Sequence, residues 1–178
     1  MKKVLILKVC ILTTVLLTSF ILSEWTLFED EFCSVLFPSK PKRYSLNKDE
    51  NSGVIKSVRY TSSAKWTELM DSIPTCSLIE EDYSFENSQN QDSVKSFWKK
   101  YISNIVEIDE GRELLSEQDI SQNGHYGKEI KISGGTSYTI VQRAYLIKSK
   151  VIAVDILVFP GMENSTNALK FLSSLKLK

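Results

Sequence analysis

The stretch that decides the fold runs from Gly127 to Phe159 and reads GKEIKISGGTSYTIVQRAYLIKSKVIAVDILVF. Residues 127–133 alternate charged and apolar side chains, which is the period of a half-buried strand. The pair Gly134-Gly135 separates this run from the β-branched and aromatic run 138–147, and a glycine pair at such a place is typical of a tight hairpin turn. A third run, 151–159, follows a short polar break. The stretch therefore predicts a meander of three antiparallel strands.

The two longer runs also predict their register. A loop at residues 148–150 places Arg143 opposite Asp155, gathers the apolar residues on one face and neutralises the only two charges inside these strands. Cross-strand pairs contribute roughly 0.2–1 kcal/mol each. A slip by one residue would put Arg143 opposite Val154 and lose both benefits. We therefore predict a structural ion pair between Arg143 and Asp155; a functional acid with its orienting cation is the alternative.

The N-terminal segment has the pattern of an export signal. Two lysines precede an apolar stretch that is free of charge from Val9 to Leu22, and Ser23 stands at the polar boundary. These features are typical of a secretory signal peptide. An uncleaved membrane anchor is the alternative, because the apolar segment is near the lower length limit for a membrane span. We predict that residues 1–23 are a signal peptide or anchor and that residues 24–178 form a single exported domain, periplasmic or secreted, or held at the membrane.

The charge of the predicted mature chain excludes two classes of partner. Without residues 1–23 the chain has 19 basic and 22 acidic residues, a net charge near −3. Surfaces for nucleic acid or anionic membranes need clustered excess lysine and arginine. We therefore expect no nucleic-acid partner, and membrane contact only through residues 1–23 if they are retained.

Two cysteines, Cys33 and Cys76, remain in the predicted mature chain. In an oxidising compartment they are candidates for a disulfide; two separately buried free thiols are the alternative, because each cysteine has apolar neighbours. Two cysteines and the single histidine, His125, cannot furnish the four ligands of a usual zinc site. No glycine-rich phosphate loop or nucleophile elbow is present. We expect no metal, no cofactor and no catalytic residue.

Further strands are predicted at 31–37 and 52–62, before a polar loop at 82–91. A strand is also the preferred interpretation of residues 64–70; a short helix is the alternative, because Trp66, Leu69 and Met70 have helical spacing. The strongest helix follows, with Asp92 or Ser93 as its cap. Its apolar residues recur every three or four positions, and these are Val94, Phe97, Trp98, Tyr101, Ile102 and Ile105.

Two more elements complete the prediction. Part of the charged segment 107–120 is predicted as an edge strand, and residues 164–166 cap a terminal helix. The apolar face of that helix is Ala168, Phe171, Leu172 and Leu175.

Four motifs carry a family resemblance. Residues 32–41, FCSVLFPSKP, resemble an "F-x-V-x-F-P-x-x-P" opening, and residues 127–129, 143–146 and 171–175 resemble "G-x-E", "R-x-Y-L" and "F-L-x-S-L" patterns. In these features the chain resembles the Mog1p/PsbP-like fold, especially small exported bacterial proteins that share it. The resemblance implies an α+β fold with an antiparallel sheet flanked by helices, an α/β/α sandwich. It fixes no function, because relatives serve as photosystem accessory subunits, binding proteins for a nuclear GTPase and envelope proteins.

The resemblance and the missing catalytic motifs favour a non-catalytic accessory module that binds a protein partner in the envelope or outside the cell. The alternative is an enzyme with an unfamiliar site near Arg143, Asp155 and His125. His125 lies in a glycine-rich turn, where a solvent-exposed role is expected.

Overall fold

The computed structural model describes residues 25–46, 53–63, 75–83 and 91–178. Strands and helices follow one another along these residues. In chain order they are β1 (Thr26–Glu29), β2 (Cys33–Phe37), β3 (Lys42–Leu46), β4 (Val54–Ser62), β5 (Thr75–Tyr83), α1 (Gln91–Glu107), β6 (Glu113–Gln122), β7 (His125–Ser133), β8 (Thr139–Ile147), β9 (Lys150–Val158), α2 (Thr166–Ser174) and β10 (Lys176–Leu177). The predicted signal segment 1–23 and the predicted strand 64–70 lie outside the described residues.

The strands form two antiparallel sheets. The large sheet has seven strands in the order β3-β4-β5-β9-β8-β7-β6, and the small one has the order β1-β2-β10. The predicted three-strand meander is confirmed as β7, β8 and β9, and the predicted edge strand is confirmed as β6, which ends the sheet order. Gly135 has a φ of 68° in the turn between β7 and β8, a conformation that glycine adopts without strain.

Helix α1 covers one face of the large sheet. Its predicted apolar stripe is confirmed, since Trp98, Tyr101 and Ile102 are buried against the sheet. We call this the α1 core; its buried residues are Val54, Ile79, Tyr83, Trp98, Tyr101, Ile102, Ile130, Ile132, Ala144, Leu146, Val151 and Ala153. Helix α1 begins at Gln91, so Asp92 and Ser93 lie inside its first turn and not at the predicted cap position.

The opposite face is covered by α2 together with the small sheet. The predicted cap of α2 is confirmed, because the Ser165 hydroxyl accepts a hydrogen bond from the Ala168 N–H at 3.3 Å. We call this the α2 core; its buried residues are Cys33, Val35, Phe37, Cys76, Leu78, Val141, Tyr145, Ile152, Val154, Ile156, Val158, Ala168, Phe171, Leu172, Leu175 and Leu177. The fold is α+β, with an antiparallel sheet between two covering layers, as predicted. The second layer differs from a pure helix layer because β1, β2 and β10 complete it.

The predicted register of the β8–β9 hairpin is wrong by one residue. The connection is Lys148-Ser149 and not 148–150, with Lys148 at a φ of 58°. Arg143 therefore lies opposite Val154, and Asp155 lies opposite Gln142. Directly opposed residues share a face, so Arg143 points into the α2 side of the sheet and Asp155 into the α1 side.

The predicted ion pair between Arg143 and Asp155 is accordingly wrong. The Arg143 Nε instead donates to the Glu129 Oε2 on β7 at 2.6 Å. The prediction assumed that one face of the hairpin is apolar and that its charges must pair within it. Both faces of the hairpin are buried, and each charged residue meets its partners on a neighbouring strand.

Cys33 on β2 and Cys76 on β5 are fully buried and unbonded, so of the two alternatives, a disulfide or two free thiols, the structure has the free thiols. Each sulfur packs in the α2 core from a different sheet. The Cys76 thiol donates to the Ser62 carbonyl at 3.5 Å. Burial raises the pKa of Cys76 to about 12 and raises the pKa of Cys33 as well. Both groups are neutral, unreactive thiols at physiological pH.

No helix within the described ranges combines the length and the hydropathy that a membrane span requires.

The register can be tested by double-mutant cycles. Combining Arg143→Gln with Glu129→Gln should reveal a coupling of about 0.5–1 kcal/mol, the value of a partly exposed ion pair. Combining Arg143→Gln with Asp155→Asn should show additive effects, because the two side chains lie on opposite faces. Urea unfolding of each single and double variant measures both couplings. A coupling found only in the cycle with Asp155 would instead support the register in which Arg143 lies opposite Asp155.

Candidate functional site

The α1 face of the large sheet has two concave regions. The first, which we call the polar cavity, lies between the second half of α1 and strands β4, β5, β8 and β9, with a volume of about 580 Å³. The second, which we call the α1–β6 groove, lies between α1 and strands β6 and β7, with a volume of about 910 Å³.

A row of polar side chains crosses the floor of the polar cavity. The register of four neighbouring strands aligns Thr61, Ser77, Asp155 and Gln142. Ser77 and Gln142 are almost fully buried, at 2% and 4% exposure. This row interrupts the apolar α1 core. Burying a polar group costs free energy unless the group is hydrogen-bonded, so buried polar groups normally have a hydrogen-bond partner or a functional role.

The central charges of the cavity are Arg59 on β4 and Asp155 on β9. Burial raises the pKa of the Asp155 carboxyl, while the positive charge of Arg59 and the Ser77 hydroxyl oppose that increase. The Arg59 Nε is buried and has no hydrogen-bond partner. The cavity therefore contains a guanidinium nitrogen with unused donor capacity beside a carboxyl group that burial disfavours as an anion.

Other polar groups in the cavity are held by defined partners. The Glu81 carboxylate accepts from the Tyr83 hydroxyl at 2.7 Å and from the Ser57 hydroxyl at 3.2 Å. The Tyr101 hydroxyl, from α1, donates to the Gln142 Oε1 at 3.0 Å. Burial raises the pKa of Tyr101 well above its usual value, so this hydroxyl stays a donor. These bonds fix the walls of the cavity around Arg59 and Asp155.

A further arginine, Arg112, closes one end of the cavity and is already occupied. Its guanidinium contacts the Asp109 carboxylate at 2.5 Å, the Tyr138 hydroxyl at 3.1 Å and the Ile105 carbonyl at 3.0 Å. Arg112 therefore acts as a structural link between the end of α1 and the β7–β8 turn.

The α1–β6 groove has a different chemistry. Trp98 forms its buried base, and the indole Nε1 lacks a hydrogen-bond partner. Leu114 is 43% exposed and Tyr126 is 39% exposed along its rim. Lys128 contacts Glu117 at 2.5 Å and Asp119 at 2.6 Å. Burial opposes the charge of Lys128, but the hydrogen bonds to Asp119 and Glu117 prevail and raise its pKa.

The residues suggested for an enzymatic site are not brought together. Asp155 lies in the polar cavity, whereas Arg143 lies on the opposite face with Glu129. His125 begins β7 and pairs with Gln122 at the β6–β7 turn. Within the described ranges no group of three or more histidine, cysteine or acidic side chains is arranged to hold a metal ion.

The polar cavity was only partly visible in the sequence. The alternation in β4 already places Ser57 and Arg59 on one side, opposite Val58 and Tyr60. A polar face on a strand that also carries apolar residues is a weak signal, because it is equally typical of a solvated edge. The other strand residues that line the cavity come from β5, β8 and β9, and sequence alone does not align these strands.

No protein-family model matches the chain, and no curated protein matches its sequence. Solved structures are similar over most of it. A Pseudomonas aeruginosa protein of unknown function is 12% identical with a TM-score of 0.41, covering 79% of this chain and 86% of its own. The solution structure of PsbP (CyanoP) from Synechocystis sp. PCC 6803 is 12% identical with a TM-score of 0.42, covering 78% of this chain and 93% of its own. Both similarities extend over more than three quarters of this chain.

A carboxyl pair lies where the small sheet meets the large one. The Asp30 Oδ1 accepts from the N–H groups of Phe32 and Cys33, each at 2.8 Å. Burial raises the pKa of Glu80 on β5 to about 7, reinforced by a hydrogen bond to Asp30 and by its charge. Burial opposes ionisation of Asp30, but the hydrogen bonds from Glu80 and from the backbone prevail and lower its pKa. Below a pH of about 7 the Glu80 carboxyl is therefore protonated and can donate a hydrogen bond to Asp30.

This pair predicts a pH dependence of stability. The pKa of Glu80 is raised in the folded protein, so its contribution is fully present below the unfolded pKa near 4.5 and is lost as the pH rises through about 7. Glu80→Gln keeps a neutral donor and should remove this loss. Between pH 5 and 8 the variant should gain roughly 1–2 kcal/mol of unfolding free energy relative to wild type. Urea unfolding at both pH values measures it; the exposed Glu31→Gln is the control, and equal pH profiles for Glu80→Gln and wild type would contradict the assignment.

Proposed function

We propose that the protein is an exported, non-catalytic accessory module that binds a protein partner in the envelope or outside the cell through the free edge of β6 and the adjoining α1–β6 groove. The observation that carries the proposal is the position of β6. This ten-residue strand ends the sheet order and, among the described residues, pairs on one side only, with β7.

A free strand edge is a template for an added strand. Its outward backbone N–H and C=O groups can pair with an extended segment of another chain, while neighbouring pockets take that segment's side chains. The groove beside β6 offers such a pocket, with Leu114 on its rim and Trp98 at its base. Leu115 stands at a bulge and is 50% exposed, so the edge presents two adjacent leucines.

The charge of the edge defines the partner. Glu113, Glu117 and Asp119 lie on β6, and Asp109 and Glu110 precede it. Lys128 and Arg112 offset two of these five charges, so the edge remains acidic. Exposed charges of one sign also guard a free edge against pairing with a second copy of the same chain. An acidic edge favours an extended segment that alternates lysine or arginine with apolar residues. That segment is the occupant we propose.

The enzymatic alternative has less support. Arg143, Asp155 and His125 lie in three separate places, so they offer no shared substrate position. Export rests on the charge and hydropathy pattern of residues 1–23, with cleavage after Ser23 or retention as an anchor.

Site-specific photo-cross-linking tests the binding surface. A benzophenone amino acid placed at Leu114 in the native host should capture one partner protein, because that side chain lies on the proposed interface. The matched control is Leu27 on β1, which is 59% exposed and belongs to the small sheet rather than to the sheet that contains β6. The cross-linked peptide, identified by mass spectrometry, should be basic and should bind the purified chain, with amide shifts confined to β6 and α1.

Leu114→Arg should weaken that binding at least tenfold, and Leu27→Arg should leave it unchanged. Cross-links at Leu27 but not at Leu114 would contradict the proposed surface.

Export has its own test. Residues 1–23 fused to a periplasmic reporter enzyme should give an active, exported reporter, because the apolar stretch from Val9 to Leu22 is the feature that export machinery recognises. Replacing Leu16 and Leu17 by two aspartates should trap the reporter inside the cell. Intact-mass measurement of the exported chain then distinguishes cleavage after Ser23 from retention. A reporter that stays inside the cell with the unmodified segment would refute export.

A further inference from the structure

We propose that the polar cavity is a binding site for a small zwitterion, an α-amino acid with an apolar side chain, whose carboxylate meets Arg59 and whose ammonium group meets Asp155. The site is separate from the β6 edge and does not depend on the protein partner proposed above.

The first argument is the unused donor of Arg59. Arginine in a folded protein normally directs its guanidinium to carboxylates or carbonyl groups, and a buried nitrogen without an acceptor costs free energy. The Arg59 Nε is buried without a partner, and the guanidinium acts on Asp155 through its charge and forms no direct ion pair with it. A ligand carboxylate would supply the missing acceptor, and the planar fork of arginine suits a bidentate carboxylate.

The second argument is the carboxyl group of Asp155. It lies among Ser77, Gln142 and the cavity lumen, and Arg59 is the cation that affects its pKa most, ahead of Arg112. A cationic group delivered by a ligand would offset the desolvation of this carboxylate. Glu81 is less suited to that role, because both of its oxygens already accept hydrogen bonds from Ser57 and Tyr83.

The third argument is the shape of the remaining wall. Ile105 on α1, Ile140 on β8 and Leu157 on β9 also line the cavity, and the last two lie on the same sheet face as Asp155. A volume of about 580 Å³ lies in the range of small-molecule sites, which combine apolar walls with a few placed polar groups. Arg112 and Glu81 also line the cavity but are held by their own partners. Arg59, Asp155 and the aliphatic wall are left to match the three parts of an apolar amino acid.

A ligand with one charge would leave half of the site unsatisfied. A carboxylate alone would leave Asp155 without a cation, and an amine alone would leave the Arg59 Nε without an acceptor. The zwitterion is therefore the distinguishing feature of the proposal, and the probes can be chosen to isolate it.

The test titrates the purified chain with three probes of the same carbon skeleton, namely L-leucine, 4-methylpentanoate and isopentylamine. Calorimetry and amide chemical shifts report binding. We expect saturable binding of L-leucine, with shifts in β4, β5, β8 and β9, and at least tenfold weaker binding of the two single-charge probes. Equal binding of 4-methylpentanoate, or no binding of L-leucine at millimolar concentration, would overturn the proposal.

Variants provide the second arm. Arg59→Gln and Asp155→Asn should each weaken L-leucine binding at least tenfold. Arg43→Gln on β3 removes the same charge from an exposed position and should bind like wild type. Ile105→Trp fills the cavity without changing Arg59 or Asp155 and should also abolish binding. This variant tests the site independently in case a charge change perturbs the fold. Unchanged L-leucine affinity in folded Arg59→Gln or folded Ile105→Trp would refute the site.

Discussion

The burial of β8 and β9 on both faces is the constraint on which the rest of the structure depends. These strands lie in the interior of a seven-stranded sheet, with the α1 core on one side and the α2 core on the other. A polar or charged side chain in them is largely removed from bulk water and is stabilised by a partner on an adjacent strand. Arg143 does so with Glu129, whereas Asp155 faces Ser77 and Gln142. In the cavity that we interpret as a binding site this pairing of polar groups is incomplete, because the buried Arg59 Nε has no hydrogen-bond partner.

Local signals predicted much of the fold. Alternation and a glycine pair located β7, β8 and β9, and the three-to-four spacing of apolar residues located α1 and the face of α2. The register of β8 and β9 failed for a physical reason. When both faces of a hairpin are buried, each candidate register hides about the same apolar surface, and the hydrophobic pattern stops distinguishing between them.

Strand β5 was missed for a related reason. Its sequence, TCSLIEEDY, carries three consecutive acids, which is unusual for a strand in the middle of a sheet. Each acid has a remote partner: Glu80 meets Asp30, Glu81 meets Ser57 and Tyr83, and Asp82 pairs with Lys150 at 2.8 Å. The same dependence on remote partners hid most of the polar cavity, whose residues come from four strands and a helix.

The small sheet has a consequence for how the chain folds. Strand β10, at Lys176–Leu177, pairs with Ser34 and Cys33 on β2, and the Lys178 N–H donates to the Phe32 carbonyl at 3.0 Å. More than 140 residues separate these partners along the sequence, so the contacts form late and slowly. The layer that covers the α2 face therefore cannot close before residues 176–178 have docked on β2. A chain in which this pairing has not yet formed leaves the α2 core exposed, and such a state is open to chaperones until the small sheet is complete.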